Sequence, residues 1–76
     1  MEKRSLSIAG HRTSISLEPE FWAALEVMAA DANLSMAGLI RSIDEARAIT
    51  NLSSAVRLAV LGWYQQRLAA DTETQD

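Results

Sequence analysis

Arg12-Thr13-Ser14-Ile15-Ser16-Leu17-Glu18-Pro19-Glu20-Phe21-Trp22 passes, within eleven residues, from a period of two to a period of 3.6. In its first half Thr13, Ile15 and Leu17 fall on one face of an extended strand, and Arg12, Ser14 and Ser16 fall on the other. Pro19 then suits the first position of a helix, where its missing N–H costs nothing, and Glu18 and Glu20 flank the positive helix end. A strand with one apolar face and unpaired backbone groups needs a second strand beside it. No downstream segment alternates convincingly, so the expected partner is a second copy of the chain, paired antiparallel across a twofold axis. The reading is therefore an obligate homodimer.

Upstream, Leu6 and Ile8 alternate with Ser5, Ser7 and Ala9, so residues 1–10 are either a second extended segment or a mobile arm. Their parity differs from that of the decisive strand: Leu6 and Ile8 are even-numbered, whereas Ile15 and Leu17 are odd. A straight strand through all four would send Leu6 and Ile8 to the polar face, and Ala9-Gly10 is where the chain can turn or bulge to correct this.

Downstream, Phe21, Leu25, Met28 and Ala32, with Trp22 and Ala29 beside them, form an apolar stripe that predicts a helix from Pro19 to Ala32. Asn33-Leu34 is the expected break. Ser35 then reads as the N-cap of a second helix, with Met36, Leu39, Ile40 and Ile43 on its apolar side, and Ile49-Thr50 interrupts it. A third helix is expected from Asn51 or Ser53 to near Leu68. Leu52, Ala55, Val56, Ala59, Val60 and Trp63 occupy one side of it, while Leu58 and Leu61 add apolar groups elsewhere, a second reason to expect a partner subunit. Gly62 weakens this helix by about 1 kcal/mol relative to Ala and suggests close approach of another element. Residues 70–76 read as an acidic flexible tail. The segments 33–37 and 51–55 echo one another as two similar helix starts, an ordinary consequence of Asn and Ser as caps.

The chain has 76 residues, 49% of them apolar, which describes one small globular domain and not a disordered segment. No apolar run approaches the roughly 18 residues of a membrane span, so no membrane partner is expected. There is no cysteine and one histidine, which leaves little material for a metal site, and no metal or cofactor is expected. Lys3 and Arg4 are not followed by an apolar segment of signal-peptide length, so the expected compartment is the cytoplasm. Net charge is −3, but it is segregated: residues 1–17 carry Lys3, Arg4 and Arg12 against Glu2, whereas residues 18–76 are net acidic. The strand end is the positive end, and local potential is what attracts a phosphate backbone.

Residues 12–47, in the order strand, Pro at the helix start, amphipathic helix, polar turn with Ser, second helix, resemble the ribbon-helix-helix class of DNA-binding proteins, the Arc and MetJ repressors among them. Asn51-Leu52-Ser53-Ser54-Ala55-Val56-Arg57-Leu58-Ala59 separately resembles that class's second-helix opening. The whole is similar to a compact bacterial subfamily with a third helix, the resemblance covering residues 11–69. It implies a mainly α fold: a homodimer with an intermolecular two-stranded antiparallel sheet and three helices per chain. It further implies that the ribbon enters the major groove of double-stranded DNA, with Arg12, Ser14 and Ser16 reading base edges. It implies too a phosphate held at a helix N-terminus, either at Ser35 by spacing or at Asn51, Ser53 and Ser54 by residue type, with Arg57 beside the latter. His11, Lys3 and Arg4 are further phosphate candidates. Ile15, Leu17, Phe21, Leu25, Val56, Val60 and Trp63 form the expected dimer core.

No clustered acid, base and nucleophile, no phosphate-binding glycine loop and no metal-ligand spacing is present, so catalysis is not expected. The function expected is that of a dimeric sequence-specific DNA-binding regulator, a repressor. The alternative is a protein-interaction module, an acidic dimer binding another protein as antitoxins do, and a purely structural dimer is the third reading.

Overall fold

The structure, a computed structural model, describes residues 1–46 and 50–74, with 71–74 by backbone alone. Two strands, β1 (Glu2–Ile8) and β2 (His11–Leu17), precede three helices, α1 (Pro19–Ala32), α2 (Met36–Ala46) and α3 (Leu52–Thr74). The strands pair antiparallel within the chain, from Glu2 opposite Leu17 to Ile8 opposite His11. Ala9 and Gly10 close the hairpin, both with positive φ (52° and 82°), the pattern of a type I′ turn whose twist matches the flanking strands.

The two-residue turn resolves the parity conflict. Each even-numbered residue of β1 stands opposite an odd-numbered residue of β2, so Leu6 and Ile8 share a face with Thr13, Ile15 and Leu17. That face lies on the helices, with Ile8, Ile15 and Leu17 buried. The pairing assigned to a second copy is thus made by the chain's own first strand, and residues 2–8 are part of the ribbon rather than an arm. The premise that β2 lacks a partner does not hold.

The first helix occupies the range its apolar spacing predicts. Trp22, Leu25, Met28 and Ala29 are buried, Phe21 packs at the margin of the core, and Ala32 is exposed. Asn33 takes a left-handed conformation (φ 57°, ψ 42°), while its N–H donates to Ala30 O (3.1 Å) and that of Leu34 donates to Ala29 O (2.8 Å). These two bonds close the helix in a Schellman motif. Ser35 caps α2 as expected, its Oγ accepting from Gly38 N–H at 3.0 Å. Asn51 caps α3, its Oδ1 accepting from Ser54 N–H at 3.1 Å. The interruption expected at Ile49 lies outside the described residues, as does Arg47. The third helix runs on through Thr74, so residues 70–74, expected as a flexible tail, are helical; Gln75 and Asp76 lie outside the described residues.

The core gathers Ile8, Ile15, Leu17, Trp22, Leu25, Met28, Leu39, Ile40, Val56 and Val60, with α2 packed on β1 and α3 on β2. Of the residues expected at a dimer interface, Ile15, Leu17, Leu25, Val56 and Val60 are buried inside the single chain, and Phe21 and Trp63 sit at its margin. The hairpin supplies the apolar cover that the second copy was invoked to provide. Ala9 occupies a backbone region that Asn tolerates better and Gly10 one that strains any Cβ. Ala9→Asn should therefore raise the unfolding free energy by about 0.5 kcal/mol, and Gly10→Ala should lower it by about 1 kcal/mol, as read by denaturant titration.

Candidate nucleic-acid interface

Alternation places Lys3, Ser5 and Ser7 of β1 and Arg12, Ser14 and Ser16 of β2 on the ribbon face turned away from the helices. All are exposed except the partly covered Ser16. The register sets Lys3 opposite Ser16, Ser5 opposite Ser14 and Ser7 opposite Arg12, and the Ser5 and Ser14 hydroxyls are 3.2 Å apart. Lys3 and Arg12 therefore stand at opposite ends of the face, about 14 Å apart along the strands at about 3.4 Å per residue. No acid lies on this face. Its chemistry is two cations flanking four small hydroxyls, each of which donates and accepts.

The strands' other ionic groups lie on the helix side. Arg4 donates to the Glu2 carboxylate and, at 3.4 Å, to Glu26, and its guanidinium lies 4.6 Å from the centroid of the Trp22 ring. It is held by acids and an indole, on the face opposite Lys3. The buried Trp22 donates its Nε1–H to Glu2 O at 2.8 Å, fastening β1 to α1. His11 is exposed beside the turn, opposite Ile8.

Arg57, on the first turns of α3, donates twice to Glu18 Oε1 (3.1 and 2.9 Å) and lies 5.7 Å from the Phe21 centroid. This bridge brings the start of α3 to the junction of β2 and α1. The start of α2 is a separate place, so Ser35 and the Asn51-Ser53-Ser54 group do not form one site. Sequence reasoning overlooked Ser5 and Ser7 as members of the outward face. The signal that could have found them was the two-residue Ala9-Gly10 turn read together with the parity change, since a hairpin of that length demands it.

Arranged this way, the chain offers a two-stranded ribbon whose outward face carries no acid, standing on a helical base. The model of the ribbon-helix-helix domain matches residues 1–64. The chain belongs to the ribbon-helix-helix domain family. Members of this family bind DNA, generally as dimers, and the fold is not an enzymatic one. No curated protein and no solved structure matches the chain. In this ribbon-helix-helix protein no helix among the described residues is by itself long and apolar enough to cross a membrane. Among the same residues no three or more His, Cys, Asp or Glu side chains are grouped to hold a metal ion.

The Glu18 carboxyl is held below the ordinary carboxylate range, first by its own backbone N–H and then by Arg57. A depressed folded value means that this group's stabilisation is complete above the ordinary carboxylate range and is lost as pH falls through it. Glu18→Gln should accordingly flatten the decline in melting temperature between about pH 5 and pH 3, relative to the unsubstituted protein.

Proposed function

We propose that the protein is a homodimeric, sequence-specific DNA-binding regulator, a repressor acting in the cytoplasm, whose ribbon enters the major groove. The observation that carries this reading is the sorting of charge on the hairpin: Lys3 and Arg12 face outward with serines, while Glu2 is directed inward onto Arg4. A net-acidic chain thereby keeps one face free of acid, and local potential governs attraction to phosphate. The major groove, about 12 Å wide, admits a two-stranded ribbon. Arg12 can donate two bonds to guanine O6 and N7, whereas Ser14 and Ser16 discriminate weakly because a hydroxyl both donates and accepts.

Lys3 reaches phosphate from the same face, with His11 beside the turn. Arg4 and Arg57 are drawn into ion pairs and act through the fold, holding β1 on α1 and α3 on the strand-helix junction. The phosphate at a helix N-terminus is assigned to α3, at Asn51, Ser53 and Ser54, because the Glu18–Arg57 bridge sets that end beside the ribbon's base. Binding alone, without catalysis or a cofactor, accounts for the activity.

The second copy is assigned to the outer side of α3. Leu58 and Leu61 are 59% and 53% exposed there, and Gln65 and Leu68 continue the three-and-four spacing of a helix-helix seam. A Cβ on Gly62 would meet open space, so the chain's own packing gives no reason for a residue that costs a helix about 1 kcal/mol. A second helix approaching closely gives one. Residues 58–66 carry no charge, so two copies of this strip do not repel. The same strip is the observation that favours the alternative, an antitoxin-like partner protein.

Arg12→Ala should cost about 1–3 kcal/mol of discrimination between the selected duplex and a scrambled one in fluorescence titration, without unfolding the domain. Log affinity should fall linearly with log salt, with a slope of about −1 for each phosphate contact, and Lys3→Ala should reduce that slope by about 1. Equal affinity of the Arg12→Ala and unsubstituted proteins for all duplexes sinks the reading. Leu58→Glu/Leu61→Glu should sediment at the chain mass of 8.3 kDa with unchanged circular dichroism, and the unsubstituted protein at twice that mass. An unsubstituted chain that sediments alone as a monomer favours the partner-protein alternative.

A further inference from the structure

The two strands of the hairpin carry one pattern twice, offset by nine residues. Lys3-Arg4-Ser5-Leu6-Ser7-Ile8 and Arg12-Thr13-Ser14-Ile15-Ser16-Leu17 each run basic, polar, Ser, aliphatic, Ser, aliphatic. The pairing turns this repeat into symmetry. Ser5 stands opposite Ser14, Lys3 opposite Ser16 and Arg12 opposite Ser7, so a half-turn about the Ser5–Ser14 pair carries Lys3 onto Arg12 and Ser7 onto Ser16. The Ser5 and Ser14 hydroxyls, 3.2 Å apart, mark that local axis. The inward face obeys the same operation: Leu6 exchanges with Ile15, and Ile8 with Leu17.

We infer that the hairpin of one chain is a complete DNA-reading unit with near-twofold symmetry, in which Lys3, Ser5 and Ser7 form a second half-face equivalent to Arg12, Ser14 and Ser16. This rests on the reading of the ribbon as the DNA interface and extends it to β1. In a closed twofold contact two copies of one surface present the same groups in opposite directions. The hairpin achieves the same presentation with unlike strands of a single chain. B-form DNA has its own local twofold axes between and through base pairs, so the duplex chemistry that fits this face is a short inverted repeat met by one chain, with a cation at each end. The repeat also explains the serines. Small hydroxyls at Ser5 and Ser14 in the middle, and at Ser7 and Ser16 across from the cations, let the ribbon lie close to the groove floor, while the longer Lys3 and Arg12 reach outward from diagonally opposite ends.

The test uses the full chain and a duplex obtained by selection from random double-stranded DNA, with two triple variants, Lys3→Ala/Ser5→Ala/Ser7→Ala and Arg12→Ala/Ser14→Ala/Ser16→Ala. All six positions are on the outward face, and circular dichroism with fluorescence of the two tryptophans, Trp22 and Trp63, verifies that both variants fold. Both should lose about tenfold or more in affinity, within about threefold of one another, since each removes one cation and two hydroxyls from the same kind of half-face. The selected site should be an inverted repeat within the footprint of one chain. If the first triple binds as the unsubstituted protein does while the second loses affinity, β1 is only a support and the inference is overturned, although the DNA reading stands. If neither variant changes affinity, the DNA reading itself falls. If one triple folds poorly, the single variants Lys3→Ala and Arg12→Ala carry the same comparison: matched losses support the inference and a loss confined to Arg12→Ala overturns it.

Discussion

The indole N–H of Trp22 decides how the rest of this molecule is arranged. A side chain 1% exposed cannot leave a donor without an acceptor except at a cost of about 1–3 kcal/mol, and the acceptor it finds is the carbonyl of Glu2 at the open end of the hairpin. That one bond ties the first strand to the first helix. Together with the two-residue turn at the other end, it fixes which face of the ribbon is pressed on the core. Leu6, Ile8, Ile15 and Leu17 are then directed inward as a set, and everything polar on the alternate positions is left outside.

The same constraint sorts the charges. Arg4 lies over the indole and is met by Glu2 and Glu26, so the acids of this region are spent on the inner side. Glu18 is taken up by Arg57, and Asp31 lies 3.8 Å from Arg67 on α3, whose guanidinium stacks 4.6 Å from the Trp63 centroid. These are exposed or half-exposed pairs, each contributing little to stability. Their larger effect is on where charge is absent. None of these carboxylates stands on the outward ribbon face, and a protein of net charge −3 thereby presents two cations there with no acid between them.

Much of this was legible along the chain because it depends on local patterns. Pro19 with flanking acids marked the start of α1, and Asn33 its end, to the residue. Ser35 and Asn51 both act as the caps their types suggest. What was not legible required knowing who faces whom. The parity difference between Leu6 and Ile15 argues against one continuous strand, and that argument is sound, but it is also what a two-residue hairpin produces, so residues 1–10 stay open between a strand and an arm and their pairing with β2 is not visible in the sequence. The second copy was then invoked for a core that the chain closes itself. The ion pairs of Arg4 and Arg57 are not visible in the sequence, because charge alone does not reveal a carboxylate that lies 22 or 39 residues away. The reach of α3 into the acidic segment after Ala70 was missed because composition there suggested solvent and not secondary structure.

The hairpin has a consequence for how such a surface can change over time. In a ribbon made by two copies of one strand, every substitution strikes both halves together, and a change that improves one contact is imposed on its mirror position. Here Lys3 and Arg12 are separately encoded, as are Ser5 and Ser14. Under the proposed DNA reading, one half-face can drift to a new chemistry while the other keeps hold of the old one, so recognition can be altered in single steps without passing through a state in which both grips are lost.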